Sequence, residues 1–124
     1  MPDMTAASFN PSRLGTLCGL FQARLTASSD RIAYRQYDES LNAWVSFTWA
    51  QVAAQVKRWQ AALVKEGLVP GDRVAIMLKN CVEWVIFDQA ALALGLVTVP
   101  LYLDDRPDNA AYILNHSGAR LLLV

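Results

Sequence analysis

The spacing of hydrophobic residues predicts a helix near the start of the chain. Apolar side chains recur there at steps of three and four residues, which places them on one face of a helix. These side chains belong to Leu14, Leu17, Phe21 and Leu25. The polar residues 28–30 end this predicted helix. Residues 1–12 have no periodicity and contain two prolines, so they predict a flexible leader, with order starting near Arg13.

A hairpin and a second helix are predicted next. Residues 32–37 and 43–47 are rich in aromatic and β-branched residues and flank a polar segment, as the strands of a hairpin do. Thr48 and Gln51 fit a capping box, in which two side chains satisfy free N–H groups at a helix start. The buried face of this helix is expected to carry Val52, Val56, Trp59 and Leu63. Gly67 is expected to end it.

Three apolar runs separated by helical segments predict a parallel sheet in the second half of the chain. The runs are residues 74–78, 96–99 and 121–124. Each is expected to be a strand, and the first two are expected to be buried. Strands joined by crossovers of this length form parallel βαβαβ units, which are half of a doubly wound sheet.

The two helices between these strands have predicted boundaries and faces. For the first, Asn80 is the expected N-cap, with Glu83 three residues later, and Gly95 follows the end. Its apolar residues are Trp84, Val85, Phe87 and Leu92. For the second, Pro107 opens the helix and Gly118 follows it. The residues expected to face inward there are Ala111, Tyr112 and Leu114.

The predicted fold is therefore α/β: an N-terminal hairpin and helices, followed by a βαβαβ parallel doubly wound unit. Residues 13–124 form one partial subdomain after the leader 1–12. The last apolar run ends at Val124 without a turn or a charged residue, which predicts a truncated part of a larger domain.

Composition and charge narrow the protein class. Of the 124 residues, 54% are hydrophobic and 18% are charged, as in a globular domain. Eleven basic residues balance eleven acidic ones, which gives no reason to expect a nucleic acid partner. No signal-peptide pattern or transmembrane run is present, so a cytoplasmic location is expected. Cys18 and Cys81 lack metal-type spacing and are expected to be small buried hydrophobes without a disulfide.

A few residues are candidates for a site, and each also has a structural explanation. Asp104 and Asp105 follow the second predicted parallel strand, at the edge where such folds bind ligands, but capping of the next helix is favoured. Tyr102 lies at the same edge, with packing favoured over substrate contact. His116, in a last helical turn, is expected to be structural. Core and subdomain contacts are expected for Trp44, Trp49, Trp59 and Trp84.

Three stretches resemble the AMP-forming adenylate-forming superfamily, and within it the long-chain fatty acid CoA ligases. Residues 47–52 are similar to its first core motif, a Thr or Ser and an aromatic residue at a helix start. Residues 67–76 resemble its glycine-Asp-Arg turn and strand, followed by the similar residues 80–84. Residues 93–102 resemble its second core motif, and residues 111–120 the helix and strand after it. The Asp104-Asp105 pair departs from the family's usual Pro-Thr or Pro-Ser.

This resemblance implies a two-step reaction in the parent enzyme. A fatty acid carboxylate attacks the α-phosphate of MgATP to give an acyl-adenylate and pyrophosphate, and the CoA thiol then displaces AMP. ATP, Mg²⁺ and CoA are the implied cofactors, and none is expected to bind this fragment. The implied catalytic, cofactor-binding and metal-binding groups all lie after position 124, so no site residue is assigned here and the fragment alone is expected to be inactive.

The resemblance also implies partners. The main one is the remainder of the same polypeptide, and peripheral membrane association is left open. Two alternatives remain: another acid-activating ligase of the superfamily, and a non-catalytic interaction module derived from it, pairing through an unfinished sheet.

Overall fold

The first described helix follows the predicted bounds only partly. The computed structural model describes residues 15–124, so the predicted leader 1–12, Arg13 and Leu14 lie outside the described residues. Helix α1 spans Leu17–Ser28, and Thr16 caps it through a 3.0 Å hydrogen bond from the Gly19 amide. Phe21 is buried and Leu25 packs against the core, as expected. Leu17, predicted on the same face, is 64% exposed, since only the later turns of α1 reach the core.

The predicted hairpin is present. Strand β1 spans Ile32–Asp38 and strand β2 spans Ala43–Thr48, and the two are antiparallel. Tyr34 lies opposite Phe47, and both pack against the core. The inner face of the hairpin therefore belongs to the hydrophobic core.

Helix α2, Trp49–Lys65, begins at the predicted capping box. The backbone N–H of Gln51 donates to Thr48 Oγ1 at 3.2 Å, and the backbone N–H of Thr48 donates to Gln51 Oε1 at 2.8 Å. The predicted buried face is also confirmed: Val52, Val56 and Leu63 are buried and Trp59 packs against the core. Gly67, with a φ of +71°, follows the end of the helix as expected.

A three-stranded parallel sheet confirms the predicted βαβαβ unit and the α/β class. Its strands are β3 (Arg73–Ile76), β4 (Val97–Pro100) and β5 (Leu121–Leu123), in the order β4-β3-β5. The three residues after Arg73 in β3 have no exposed surface, as expected for a strand covered on both faces. Val97 in β4 is 48% exposed. Leu96 is buried and Thr98 and Val99 are partly buried, so the predicted burial of residues 96–99 holds only in part, since β4 is an edge strand.

The helices between the parallel strands require three corrections. Helix α3 spans Val82–Ala93, and its N-cap position is Cys81, so the predicted cap at Asn80 is wrong. Helix α4 spans Pro107–Ser117, begins with the predicted proline and is followed by Gly118. No residue of α4 is buried, and both Ala111 and Tyr112 are exposed, so their predicted inward orientation is wrong. Within the described chain, α4 is covered on one side only, through the partly buried Ile113 and Leu114.

The side chain of Arg73 joins β3 to the end of α4. Its Nε donates to the carbonyl of Ser117 at 2.7 Å, and Nη2 donates to the carbonyl of Gly118 at 3.4 Å. Nη1 donates to the carbonyl of Gly71 at 3.0 Å. A guanidinium at a helix C-terminus satisfies free carbonyls and interacts favourably with the helix dipole. Arg73 therefore fixes α4 relative to the sheet.

Replacing Arg73 with alanine should lower the free energy of unfolding by about 2 kcal/mol, because charge-assisted hydrogen bonds to three carbonyls are lost. Urea denaturation measures this change. Arg106→Ala is the control, since Arg106 forms an exposed ion pair with Asp108, and it should cost less than about 1 kcal/mol. Equal losses in the two variants would contradict the role assigned to Arg73.

Asp72, the residue before Arg73, holds the turn that leads into the sheet. Its Oδ2 accepts hydrogen bonds from the Val69 amide at 2.9 Å and from Arg120 Nη1 at 2.8 Å. The Val69 amide and then the Arg120 guanidinium lower the pKa of the Asp72 carboxyl. The ionised form of Asp72 therefore stabilises the fold.

The contribution of Asp72 should depend on pH. Because its pKa is lower in the folded state, the stabilisation is complete above the unfolded pKa of about 3.9 and is lost as the pH falls through the folded pKa. Asp72→Asn should therefore be less stable than the wild type at pH 6, with a difference that shrinks towards pH 2. Thermal unfolding across this range measures it. The control is Asp104→Asn, which removes an exposed carboxylate without hydrogen bonds among residues 15–124. If the stability difference between Asp72→Asn and the wild type stayed constant from pH 6 to pH 2, ionisation of Asp72 would not be its cause.

Candidate functional site

The loops that leave β3 and β4 meet at one edge of the sheet, because the carboxyl ends of parallel strands lie side by side. The Leu101 amide donates to the Ile76 carbonyl at 2.9 Å, and the Met77 amide donates to the Leu123 carbonyl at 2.9 Å. The strands thus stay aligned just beyond their ends. We call this region, with the loop of residues 77–81 at its centre, the carboxyl edge.

Three clefts open around the loop of residues 77–81. The first, about 450 Å³, lies between this loop and residues 100–103. The second, about 430 Å³, lies between the loop and the hairpin, and the third, about 470 Å³, reaches Trp59 and the end of β5. Lys79 lines all three. The carboxyl edge therefore has one cation at the junction of its clefts.

A hairpin side chain holds the helical end of this loop. Gln36 Oε1 in β1 accepts a 2.7 Å hydrogen bond from the Val82 amide, the first amide of α3. Cys81 at the N-cap position provides no such side-chain bond. Gln36 therefore does what was predicted for Asn80, and it fixes the loop against the hairpin.

Loss of this bond should destabilise the protein. Gln36→Ala should lower the free energy of unfolding by about 1 kcal/mol, as removal of a helix cap does. Gln36→Glu keeps the acceptor oxygen, so its free energy of unfolding should stay within about 0.5 kcal/mol of the wild type. Urea denaturation provides the comparison. Gln55→Ala, an exposed change within α2, should be nearly neutral. A Gln36→Glu variant as unstable as Gln36→Ala would show that the bond to Val82 is not what matters.

The two aspartates of the carboxyl edge behave differently. Asp105 Oδ1 accepts hydrogen bonds from the Arg106 amide at 2.8 Å and from Asn109 Nδ2 at 2.9 Å, so it serves the start of α4 as expected. The cap position itself is Arg106. Asp104 is exposed and does not line the three clefts. The structure brings neither carboxylate into a binding site.

The aromatic candidates divide between core and surface. Trp59 packs edge-on against Phe87, with ring centroids 5.7 Å apart, and Trp49 packs against Phe21 and Tyr34. Trp84 is partly buried against the core and also lines the first cleft. Core packing is therefore confirmed for these three tryptophans.

Trp44 and Tyr102 do not pack into the core of the described chain. Trp44 is 68% exposed and contacts only the neighbouring Tyr37 ring among the aromatic pairs of residues 15–124. Tyr102 is 84% exposed and lines the first cleft. Trp44 lies on the outer face of a two-stranded hairpin, and Tyr102 lies in the loop beyond an edge strand. No described element covers either position.

The remaining candidates, one histidine and two cysteines, lie where a structural role explains them. His116 lies in the last turn of α4, as expected, and stacks on Tyr112 with ring centroids 5.5 Å apart. Cys18 and Cys81 are partly buried free thiols, and burial raises the pKa of each.

Among residues 15–124, no cluster of His, Cys, Asp or Glu has the arrangement to hold a metal ion. No helix in the same range is both long and apolar enough to cross a membrane.

The sequence interpretation missed Lys79, Gln36 and Arg73. Lys79 had a usable signal, because it follows the apolar run of β3 as Asp104 follows that of β4. Gln36 had none, since its partner lies 46 residues away, and Arg73 stood out only as part of the resemblance at residues 67–76, which does not indicate its bonds to Ser117 and Gly118.

Known proteins are similar to this chain in both sequence and fold. Residues 21–124 match the family described as AMP-binding enzyme. The chain is 33% identical over 93 residues to the long-chain-fatty-acid–CoA ligase FadD15 of Mycobacterium bovis, a match covering 75% of this chain and 15% of that ligase. It is 39% identical over 80 residues to fatty acyl-CoA synthetase A of Dictyostelium discoideum, covering 64% of this chain and 12% of that protein.

Solved structures agree. A fatty acyl CoA synthetase of Mycobacterium tuberculosis superposes with a TM-score of 0.76 at 30% identity, covering 85% of this chain and 20% of that one. The N-terminal subdomain of NpsA from Klebsiella oxytoca superposes with a TM-score of 0.76 at 27% identity, and the match covers 86% of this chain and 26% of that one. The chain belongs to the AMP-binding enzyme family, which confirms the resemblance seen in the sequence. It spans only about 12–20% of the length of the fatty acid ligases and synthetases named here.

Proposed function

We propose that this chain is the N-terminal part of an ATP-dependent fatty acid CoA ligase that acts on long-chain acids by way of an acyl-adenylate. The observation that carries this proposal is the 33% identity to a long-chain-fatty-acid–CoA ligase, together with the 30% identity to a fatty acyl CoA synthetase of the same fold. Residues 13–124 would form part of the first subdomain, after a leader of residues 1–12. The rest of the polypeptide would be its main partner.

We infer that residues 15–124 do not bind ATP, Mg²⁺ or CoA on their own, and two observations support this inference. The glycines with positive φ at positions 67, 71, 95 and 118 lie at helix ends and in a turn, where they do not form a phosphate-binding loop. No acidic cluster among residues 15–124 fits a metal. We therefore place the groups that bind these cofactors in the remainder of the enzyme, with the present chain supporting them.

A test compares the chain with a longer polypeptide. The DNA beyond the Val124 codon is sequenced, and the longest polypeptide containing this chain is purified beside the 124-residue chain. The longer protein should release AMP when given palmitate, ATP and CoA. The 124-residue chain should catalyse no ATP–pyrophosphate exchange. Exchange by the short chain would refute our placement of the catalytic groups.

The same assay separates fatty acids from other acids. Palmitate, dodecanoate, 3-hydroxyanthranilate and a mixture of amino acids are compared as substrates for the longer protein. The proposal requires the alkyl acids to be preferred. Preference for an aromatic or amino acid would favour another ligase of the superfamily, a reading supported by the match to NpsA, whose structures include a complex with 3-hydroxyanthranilyl-AMSN.

A non-catalytic interaction module is the second candidate, and one relative favours it. An uncharacterized protein of Mycobacterium tuberculosis is 27% identical over 108 residues, and the match covers 59% of that protein. Such a module would pair through the exposed edges of its sheet. A stop codon directly after Val124, confirmed on the transcript, would favour the module over the ligase.

A further inference from the structure

An apolar strip crosses the carboxyl edge of the sheet. We define this strip as Val124, Leu78, Trp84 and residues 101–103. Val124 and Leu78 line the third cleft, and Leu78 also lines the first cleft together with the other residues of the strip. The apolar strip therefore joins the end of β5 to the loop after β4.

Much of the apolar strip is open to solvent. Tyr102 is 84% exposed, Val124 is 77% exposed and Leu103 is 51% exposed. A single exposed apolar side chain such as Leu41 needs no cover. A group of exposed apolar side chains around clefts is typical of an interface, because burial contributes about 25 cal/mol for each Å² of apolar surface removed from water.

The backbone of the two loops beside the first cleft indicates what kind of molecule fits over the strip. The N–H groups of residues 78–81 and 102–103 have no hydrogen-bond partner among residues 15–124. Backbone N–H groups need acceptors once they are buried, so a covering group must supply them. A polypeptide carries a carbonyl at every residue, whereas an alkyl chain carries none along its length. The strip therefore fits a polypeptide.

The position of Val124 favours the same polypeptide over a separate one. The fatty acid ligases and synthetases similar to this chain are much longer, since the match covers only 12–20% of each. A chain that continues beyond Val124 leaves from the third cleft, and Leu78 lines both this cleft and the first. An extended chain advances about 3.3 Å per residue, so a short segment is enough to reach the first cleft.

We propose that the polypeptide after Val124 covers the apolar strip and closes the first and third clefts. Its apolar side chains pack against Leu78, Trp84 and residues 101–103, and its carbonyls accept hydrogen bonds from the two loops. This inference rests on the proposed function, which supplies the longer chain. The carboxyl edge is then an interface inside the enzyme.

Hydroxyl-radical footprinting of the longer polypeptide tests this surface without any substitution. Mass spectrometry gives the oxidation rate of each side chain, and side chains of one type are compared. In the described chain Tyr102 is 84% exposed and Tyr37 is 43% exposed, so an open strip makes Tyr102 oxidise faster. A covered strip reverses this order, with Tyr102 at least fivefold slower than Tyr37. Oxidation of Tyr102 as fast as that of Tyr37, or faster, would overturn the proposal.

Dilution and added fatty acid separate this occupant from others. Protection by the same polypeptide should stay unchanged when the protein is diluted a hundredfold. Protection that is lost on dilution would assign the strip to a second copy of the chain. Protection that appears only after palmitate is added would assign it to a bound ligand. Either of these two results would overturn the proposal.

A charged substitution tests the same interface. Leu103→Asp in the longer polypeptide places an unpaired charge beneath the covering segment, so the oxidation rate of Tyr102 should rise at least threefold. Leu41→Asp, at a leucine of the hairpin turn that is 65% exposed, should leave that rate unchanged. Circular dichroism checks that both variants fold. An unchanged Tyr102 rate in Leu103→Asp would show that no segment packs on this loop.

The footprinting result is separable from that of the ligase assay, because footprinting requires no turnover. A longer protein that activates fatty acids but oxidises Tyr102 rapidly would refute the covered strip alone. A protected strip in a protein that is inactive with fatty acids would refute the ligase proposal alone. A stop codon directly after Val124 would refute both.

Discussion

The central position of β3 is the constraint on which the second half of the molecule depends. This four-residue strand pairs with β4 on one side and β5 on the other, and three of its residues have no exposed surface. The hydrophobic core includes α2 and α3 residues together with Val74 and Ile76. The loops around β3 are consequently brought together: Asp72 and Arg73 at its start hold the turn and the end of α4, and Lys79 beyond its end reaches the clefts.

Element types were predictable from the sequence because they depend on local patterns. The capping box at Thr48, the proline at the start of α4 and the glycines after α2 and α4 are signals contained within a few residues. The alternation of apolar runs with helices was enough to predict a parallel sheet. Burial was predicted less well. Val97 and Tyr112 are apolar or aromatic, yet each lies on a side that no other described element covers.

The candidate site was the least predictable part, because its residues act through distant partners. Nothing near Gln36 in the sequence indicates a bond to α3, and nothing near Arg73 indicates the carbonyls at the end of α4. The interpretation of Asp105 succeeded because its hydrogen bonds are local. Lys79 could have been found by applying the strand-end argument to β3 as well as β4, although the number of clefts it lines follows only from the packed fold.

The bond between Gln36 and Val82 also has a consequence for folding order. It joins residues 46 positions apart, so it can form only after a long loop of chain has closed at an entropic cost. The hairpin depends mainly on contacts close in sequence, between its own two strands, and can form early. The first turn of α3 lacks a side-chain cap of its own and should become fully ordered only when the hairpin docks against it. The two halves of this chain are therefore expected to fold as one cooperative unit.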